Sequence, residues 1–85
     1  MCMVNHQEIF DKIVQVVAQQ LHQDPKTITE SSTLESLGAD SVDRVEIIMK
    51  LEEEFDVEIN DEQAEKLNTI ADGVHYIAQL LTTKQ

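Results

Sequence analysis

Basic residues are scarce in this chain, and so are glycine, proline, cysteine and aromatic side chains. Each scarcity excludes something. Two glycines and one proline leave no material for a flexible linker or a low-complexity tract. Aromatics at 4% argue against a β-sandwich, whose strands draw on aromatic and β-branched side chains. Cys2 is the one cysteine, so no disulfide forms within the chain. Nothing beside it in sequence would activate the thiol, and it reads as incidental, close to a frayed N-terminus. No apolar run is long enough to span a bilayer, and no signal-peptide pattern opens the sequence. That points to the cytoplasm; an organelle stroma or matrix would follow if a leader had been removed.

What is present is acid. Seventeen Asp and Glu against six Lys and Arg give a formal net charge of −11, and the excess is local. Residues 1–30 carry four acids and two bases, residues 31–66 twelve acids and three bases, and residues 67–85 one of each. The middle segment alone therefore holds −9. Such a field repels nucleic acid and anionic membrane and steers basic protein partners toward the middle of the chain. The same self-repulsion favours a monomer and predicts that salt or divalent cations stabilise the fold. Eighty-five residues, 41% of them apolar, make one domain spanning 1–85 with room for a single core. A chain this short buries only about 60% of its unfolded surface, so its stability is expected to be marginal.

Helical periodicity runs through the chain, and no useful β-alternation interrupts it. Asn5 and Glu8 read as a capping box ahead of a first helix over 6–22, with Ile9, Ile13, Val16, Val17 and Leu21 at helical spacing. Asp24-Pro25 suits a short turn, Asp as cap and Pro at the first position. Residues 26–39 are rich in Ser and Thr and read as a long loop, which Ile28, Leu34 and Leu37 would pin to the core. Asp40 caps a second helix ending near Phe55, whose apolar positions cover more than half its circumference. It is predicted to be the most buried helix. Asn60 with Gln63 opens a short helix over 61–66, and Thr69 with Asp72 opens a last one over 70–81. The expected fold is all-α, a small four-helix bundle of three longer helices and one short helix, with a long first loop.

The chemically informative segment is Leu37-Gly38-Ala39-Asp40-Ser41-Val42-Asp43-Arg44-Val45-Glu46. Ser41 directly follows an N-cap, where unpaired N–H groups and the positive end of the helix dipole favour a phosphate esterified to its oxygen. Acids at 40, 43 and 46 oppose an oxyanion, and no His lies nearby in sequence, so Ser41 does not fit a catalytic nucleophile. It fits a serine that another, basic enzyme modifies. Read alone, Ser41 would be an ordinary first helical residue and the acids an ordinary solvated face; Glu46 with Lys50, and Glu62 with Lys66, have i,i+4 spacing. The excess of acid goes beyond what such pairs need and favours a docking surface. No acidic run has the glycine that an EF-hand loop requires, and His6, His22 and His75 show no metal-ligand spacing, so no metal site is expected.

With its flanks, the segment resembles the phosphopantetheine attachment motif of acyl carrier proteins, LGADSLD. The likeness continues in register through Leu51-Glu52-Glu53-Glu54-Phe55-Asp56, Ile59, Asp61-Glu62, Ala64-Glu65-Lys66 and Tyr76-Ile77, covering about residues 8–80. The resemblance implies a non-catalytic carrier domain. Ser41 would receive 4'-phosphopantetheine from coenzyme A through a phosphopantetheinyl transferase, and the arm would hold growing acyl chains as thioesters for fatty-acid synthesis enzymes. Asp40, Asp43, Glu46, Glu52 and Glu53 would meet basic patches on those enzymes, a kind of contact that raises association rate and stays salt-sensitive. Val45, Met49, Leu51, Phe55, Ile59, Ala64 and Leu67 would line a cavity for the acyl chain.

Four positions depart from the family's usual residues. Val42 stands where leucine is usual, Asn60 where proline is common and Ser36 where an acid is usual, and Arg44 adds a positive charge to an acidic helix. A carrier for a polyketide, aminoacyl or specialised lipid pathway is the near alternative. An acidic docking protein without a prosthetic group is the distant one, and it predicts partner binding indifferent to Ser41→Ala.

Overall fold

The computed structural model describes residues 5–83, and Cys2 lies outside them. Helix α1 spans His6–Leu21, α2 Ser41–Phe55, α3 Asp61–Lys66 and α4 Ile70–Thr83, with a single 3₁₀ turn at Pro25–Thr27 after α1. Among the described residues there is no strand, only an isolated bridge between Thr33 and Thr69. The all-α bundle and its long first loop are as expected.

The helix starts follow from local side-chain chemistry. The Asn5 side chain accepts from the N–H groups of Gln7 and Glu8, and that of Asn60 from the N–H of Gln63 at 2.8 Å. At α4 the exchange is reciprocal: the Asp72 N–H donates to Thr69 Oγ1 at 3.1 Å, and the Thr69 N–H donates to the Asp72 carboxylate at 3.2 Å. Each cap satisfies donors that the first turn would otherwise leave unpaired. Donation by the Thr69 N–H holds the Asp72 carboxyl below the usual carboxylate range. The Asn68 N–H, the Thr69 side chain and nearby His75 act in the same sense, against partial loss of solvation.

The helix ends use left-handed residues. The first helix stops at Leu21, one residue short of expectation, because His22 adopts φ 56° and Gln23 donates back to the Ala18 carbonyl at 2.9 Å. Asp56, at φ 53°, ends α2 in the same manner. The last helix runs to Thr83, two residues beyond its expected end.

The core corrects one expectation. Six residues of α1 are buried, Ile9, Ile13, Val14, Val16, Val17 and Ala18, but only Ile47 and Leu51 of α2. The first helix, not the second, is the most buried. It packs against both α2 and α4, so two of its faces are covered. α2 has a single covered face, and Val42, Val45 and Met49 remain 63%, 58% and 56% exposed. Against α1, α4 contributes Ile70, Val74, Ile77 and Ala78, while Ile28 and Ile59 bring the two long connections into the same cluster.

The first loop is pinned by side chain and backbone together. Ile28 is buried, and Leu34 and Leu37 are half-buried. The Ser32 and Glu30 carbonyls accept the N–H groups of Ile70 and Ala71, both at 2.9 Å, so the loop supplies acceptors for the first turn of α4.

Candidate functional site

The site begins where this loop turns into α2. Residues 34–37 form a helical turn that ends in a Schellman motif. The Ala39 N–H donates to the Leu34 carbonyl at 2.9 Å and the Gly38 N–H to the Glu35 carbonyl at 3.0 Å. Gly38 takes φ 92°, a conformation that side-chain-bearing residues seldom adopt. Ser36, read from sequence only as a lost charge, holds the same turn: its hydroxyl donates to the Thr33 carbonyl at 2.9 Å and accepts the Thr33 N–H at 3.1 Å.

Directly after this turn, Asp40 caps α2. The Asp43 N–H donates to the Asp40 carboxylate at 2.9 Å and the Asp40 N–H to the Asp43 carboxylate at 3.4 Å, a closed capping box. Ser41 is the first residue of the helix and is exposed, its hydroxyl at the positive end of the α2 dipole.

The five acids of the expected docking face occupy different settings. Asp40 and Asp43 form the box just described. The Gln20 side chain, reaching across from α1, donates to Asp43 at 3.5 Å and also to Glu46. Half-buried Glu52 accepts the Ile59 N–H at 2.8 Å and thereby fastens the α2–α3 connection. Glu53 is exposed. Neighbouring Glu54 pairs with Lys12 at 3.1 Å. Sequence periodicity placed these acids on one helix but did not distinguish those that donors of the fold itself occupy.

Beneath Ser41, a cavity of about 480 Å³ opens between α2, α3 and the start of α4. Ser41, Arg44, Val45, Met49, Leu51, Ile59, Ala64 and Leu67 border it, with Ile13, Val17 and Ile47 also contributing. Phe55 does not border it; it is half-buried and packs against the core cluster. Arg44 reaches across to α3, donating to the Ala64 carbonyl at 3.5 Å. The arrangement presents an exposed hydroxyl at a helix start on the border of a largely apolar cavity, to which Glu52, Asp61 and Glu65 also contribute.

One pairing was not visible in sequence. His6 and His75, far apart in the chain, meet edge to face with ring centroids 5.6 Å apart, along a groove shared with Tyr76. Among the described residues no three His, Cys, Asp or Glu side chains form a group that could hold a metal ion, and no helix is long and apolar enough to cross a membrane.

Comparison with known proteins agrees with this geometry. The family model described as the phosphopantetheine attachment site matches residues 11–77. The acyl carrier protein of Thermosynechococcus vestitus is 53% identical over 75 residues, which cover 87% of this chain and 93% of that protein. Among solved structures, the HMG-ACPI domain from the CurA module of Lyngbya majuscula superposes with a TM-score of 0.87 at 25% identity, covering 99% of this chain and 85% of that one. The acyl carrier protein of Enterococcus faecalis gives 0.76 at 30% identity, covering 89% and 98%. This chain belongs to the acyl carrier proteins, non-catalytic carriers that bear a phosphopantetheine attachment site.

Proposed function

We propose that this chain is a single carrier domain for fatty-acid synthesis and that Ser41 is its attachment residue. One observation carries the reading: Ser41 stands exposed at the first position of a capped helix and borders a cavity of about 480 Å³. The residues present suit the group. Ser41 is exposed, as are Gly38 and Asp40 before it, so the hydroxyl is open to a transferase. When bound, the arm supplies a terminal thiol that holds acyl groups as thioesters. Val45, Met49, Leu51, Ile59, Ala64 and Leu67 then offer an apolar wall to the acyl chain, and burial of each methylene there is favourable by about 0.8 kcal/mol.

Enzymes of the pathway dock through basic patches on the acidic face of α2. Glu53 is its most available member, because Asp40, Asp43 and Glu52 also serve backbone N–H groups and Glu46 accepts the Gln20 side-chain amide. The protein works as a cytoplasmic monomer, since dense like charge opposes self-association. The likeness to the Lyngbya majuscula domain, together with Val42 and Arg44 beside the serine, supports a second reading as a carrier in another assembly line. Loading with malonyl and with aminoacyl donors separates the two.

Intact-protein mass spectrometry tests the central claim. Incubation with coenzyme A, Mg²⁺ and a broad-specificity phosphopantetheinyl transferase adds one phosphopantetheine to the native chain and none to Ser41→Ala. A folded, unmodified native chain that gains nothing with several transferases would remove Ser41 from this role.

A further inference from the structure

Arg44 is the only basic residue between Ser31 and Met49, in a segment dominated by acids. It lies three residues after Ser41 on α2, so the two side chains share a helix face with Cβ atoms about 5–6 Å apart. Both border the same cavity. Surrounded by acids, Arg44 nevertheless has no carboxylate within ion-pair distance; among the described residues the one ion pair joins Lys12 and Glu54. Its guanidinium donates instead to the Ala64 carbonyl, at a long 3.5 Å, and that carbonyl already accepts the Leu67 N–H. A bond at this limit is weak and readily exchanged. Of the acids around it, Asp40 and Asp43 cap each other's N–H groups and Asp43 and Glu46 accept the Gln20 amide, while Asp61 and Glu65 border the same cavity without pairing with it.

A phosphodiester on Ser41 would stand among carboxylates of its own sign. The helix dipole offsets part of that repulsion, and Arg44, one turn along α2 from Ser41 and on the same cavity, is placed to offset more. Its planar fork of donors also matches phosphate oxygens better than a carbonyl that is already occupied. We propose that Arg44 is a positioning residue for the arm. Its guanidinium leaves the Ala64 carbonyl, takes the phosphodiester of modified Ser41, and holds the root of the arm at the cavity border while releasing a tie between α2 and α3. The proposal rests on the carrier reading of Ser41.

The test compares unmodified and arm-bearing protein, each as the native chain, Arg44→Met and Arg44→Lys. Melting temperature at low salt and the ³¹P resonance of the diester are both recorded. A positioning Arg44 makes the gain in Tm on modification about 3 °C smaller in Arg44→Met, with partial recovery in Arg44→Lys. The ³¹P resonance moves in Arg44→Met, and the Tm difference closes as NaCl is raised. A merely structural Arg44 lowers both forms equally and leaves the phosphorus signal where it was; that result overturns the proposal alone. A chain that accepts no arm overturns the carrier reading and this proposal with it.

Discussion

The α1–α4 pair and the α2–α3 edge are built on opposite principles, although one chain of 85 residues supplies both. The pair is packed and nearly neutral at its C-terminal end: ten hydrophobic residues of α1 and α4 are buried, and residues 67–85 carry no net charge. The edge is thinly packed and strongly charged. Only Ile47 and Leu51 of α2 and none of α3 are buried, a cavity lies behind them, and residues 31–66 hold −9. The difference teaches where the stability of a small carrier resides. The packed pair holds the fold together, which leaves the edge free to keep an open chamber, an acidic surface and three exposed apolar side chains.

The sharpest way to break this comparison is to truncate one side chain on each side. Ile77, fully buried on α4, becomes a cavity in Ile77→Ala, at an expected cost of about 3–4 kcal/mol. Met49→Ala on the exposed face of α2 is expected to stay within about 0.5 kcal/mol of native. Urea unfolding of the two variants decides; similar losses would mean that the edge bears as much of the fold as the pair.

A smaller effect comes from salt. Raising NaCl from about 10 to 100 mM shortens the screening length from roughly 30 to 10 Å and should raise Tm by a few degrees, mainly by relieving repulsion in 31–66. Replacing Glu53 and Glu58, both exposed, with glutamine should shrink that gain. Removing Lys66 charge by Lys66→Gln should enlarge it. A Tm indifferent to salt and Mg²⁺ would separate charge from stability in this molecule.

The smallest effect belongs to the cap of α4. Asp72 has a folded pKa below its unfolded value, so its stabilisation is complete above the unfolded pKa near 3.8 and fades as pH falls through the folded one. Asp72→Asn should therefore flatten the acid limb of the stability curve below about pH 4 and cost about 0.3 kcal/mol near neutrality, where the Thr69 N–H keeps an acceptor but loses its charge. An unchanged acid limb would place the loss of stability at the edge instead.

How far the sequence could be read divides along the same line. Asn5, Asp40, Asn60 and Thr69 announced their helices, because capping is a local reaction between side chain and nearby N–H groups. Ser41 at the head of α2 was legible for the same reason. The burial of α2 was not. Val42, Val45 and Met49 have helical spacing whether they face a core, a cavity rim or water, and hydrophobicity alone does not choose among those. Phe55 was assigned to the expected cavity wall on the family's pattern, and here it packs beside the core instead. Glu52 and Glu53 are adjacent and identical in chemistry, yet only tertiary structure brings the Ile59 N–H to Glu52. The bonds from Ile70 and Ala71 to the first loop, like the His6–His75 contact, join distant stretches and left no mark on local spacing.

Gly38 carries one more consequence. Nothing lies within 4 Å of the position its Cβ would occupy, so the demand there is for a positive φ and not for empty space. Position 38 is selective for handedness rather than size. A D-alanine introduced there by chemical ligation would suit the turn as well as glycine does, because its mirror-image side chain favours positive φ. It would also narrow the conformations open to the unfolded chain, leaving the approach to Ser41 stiffer than nature made it.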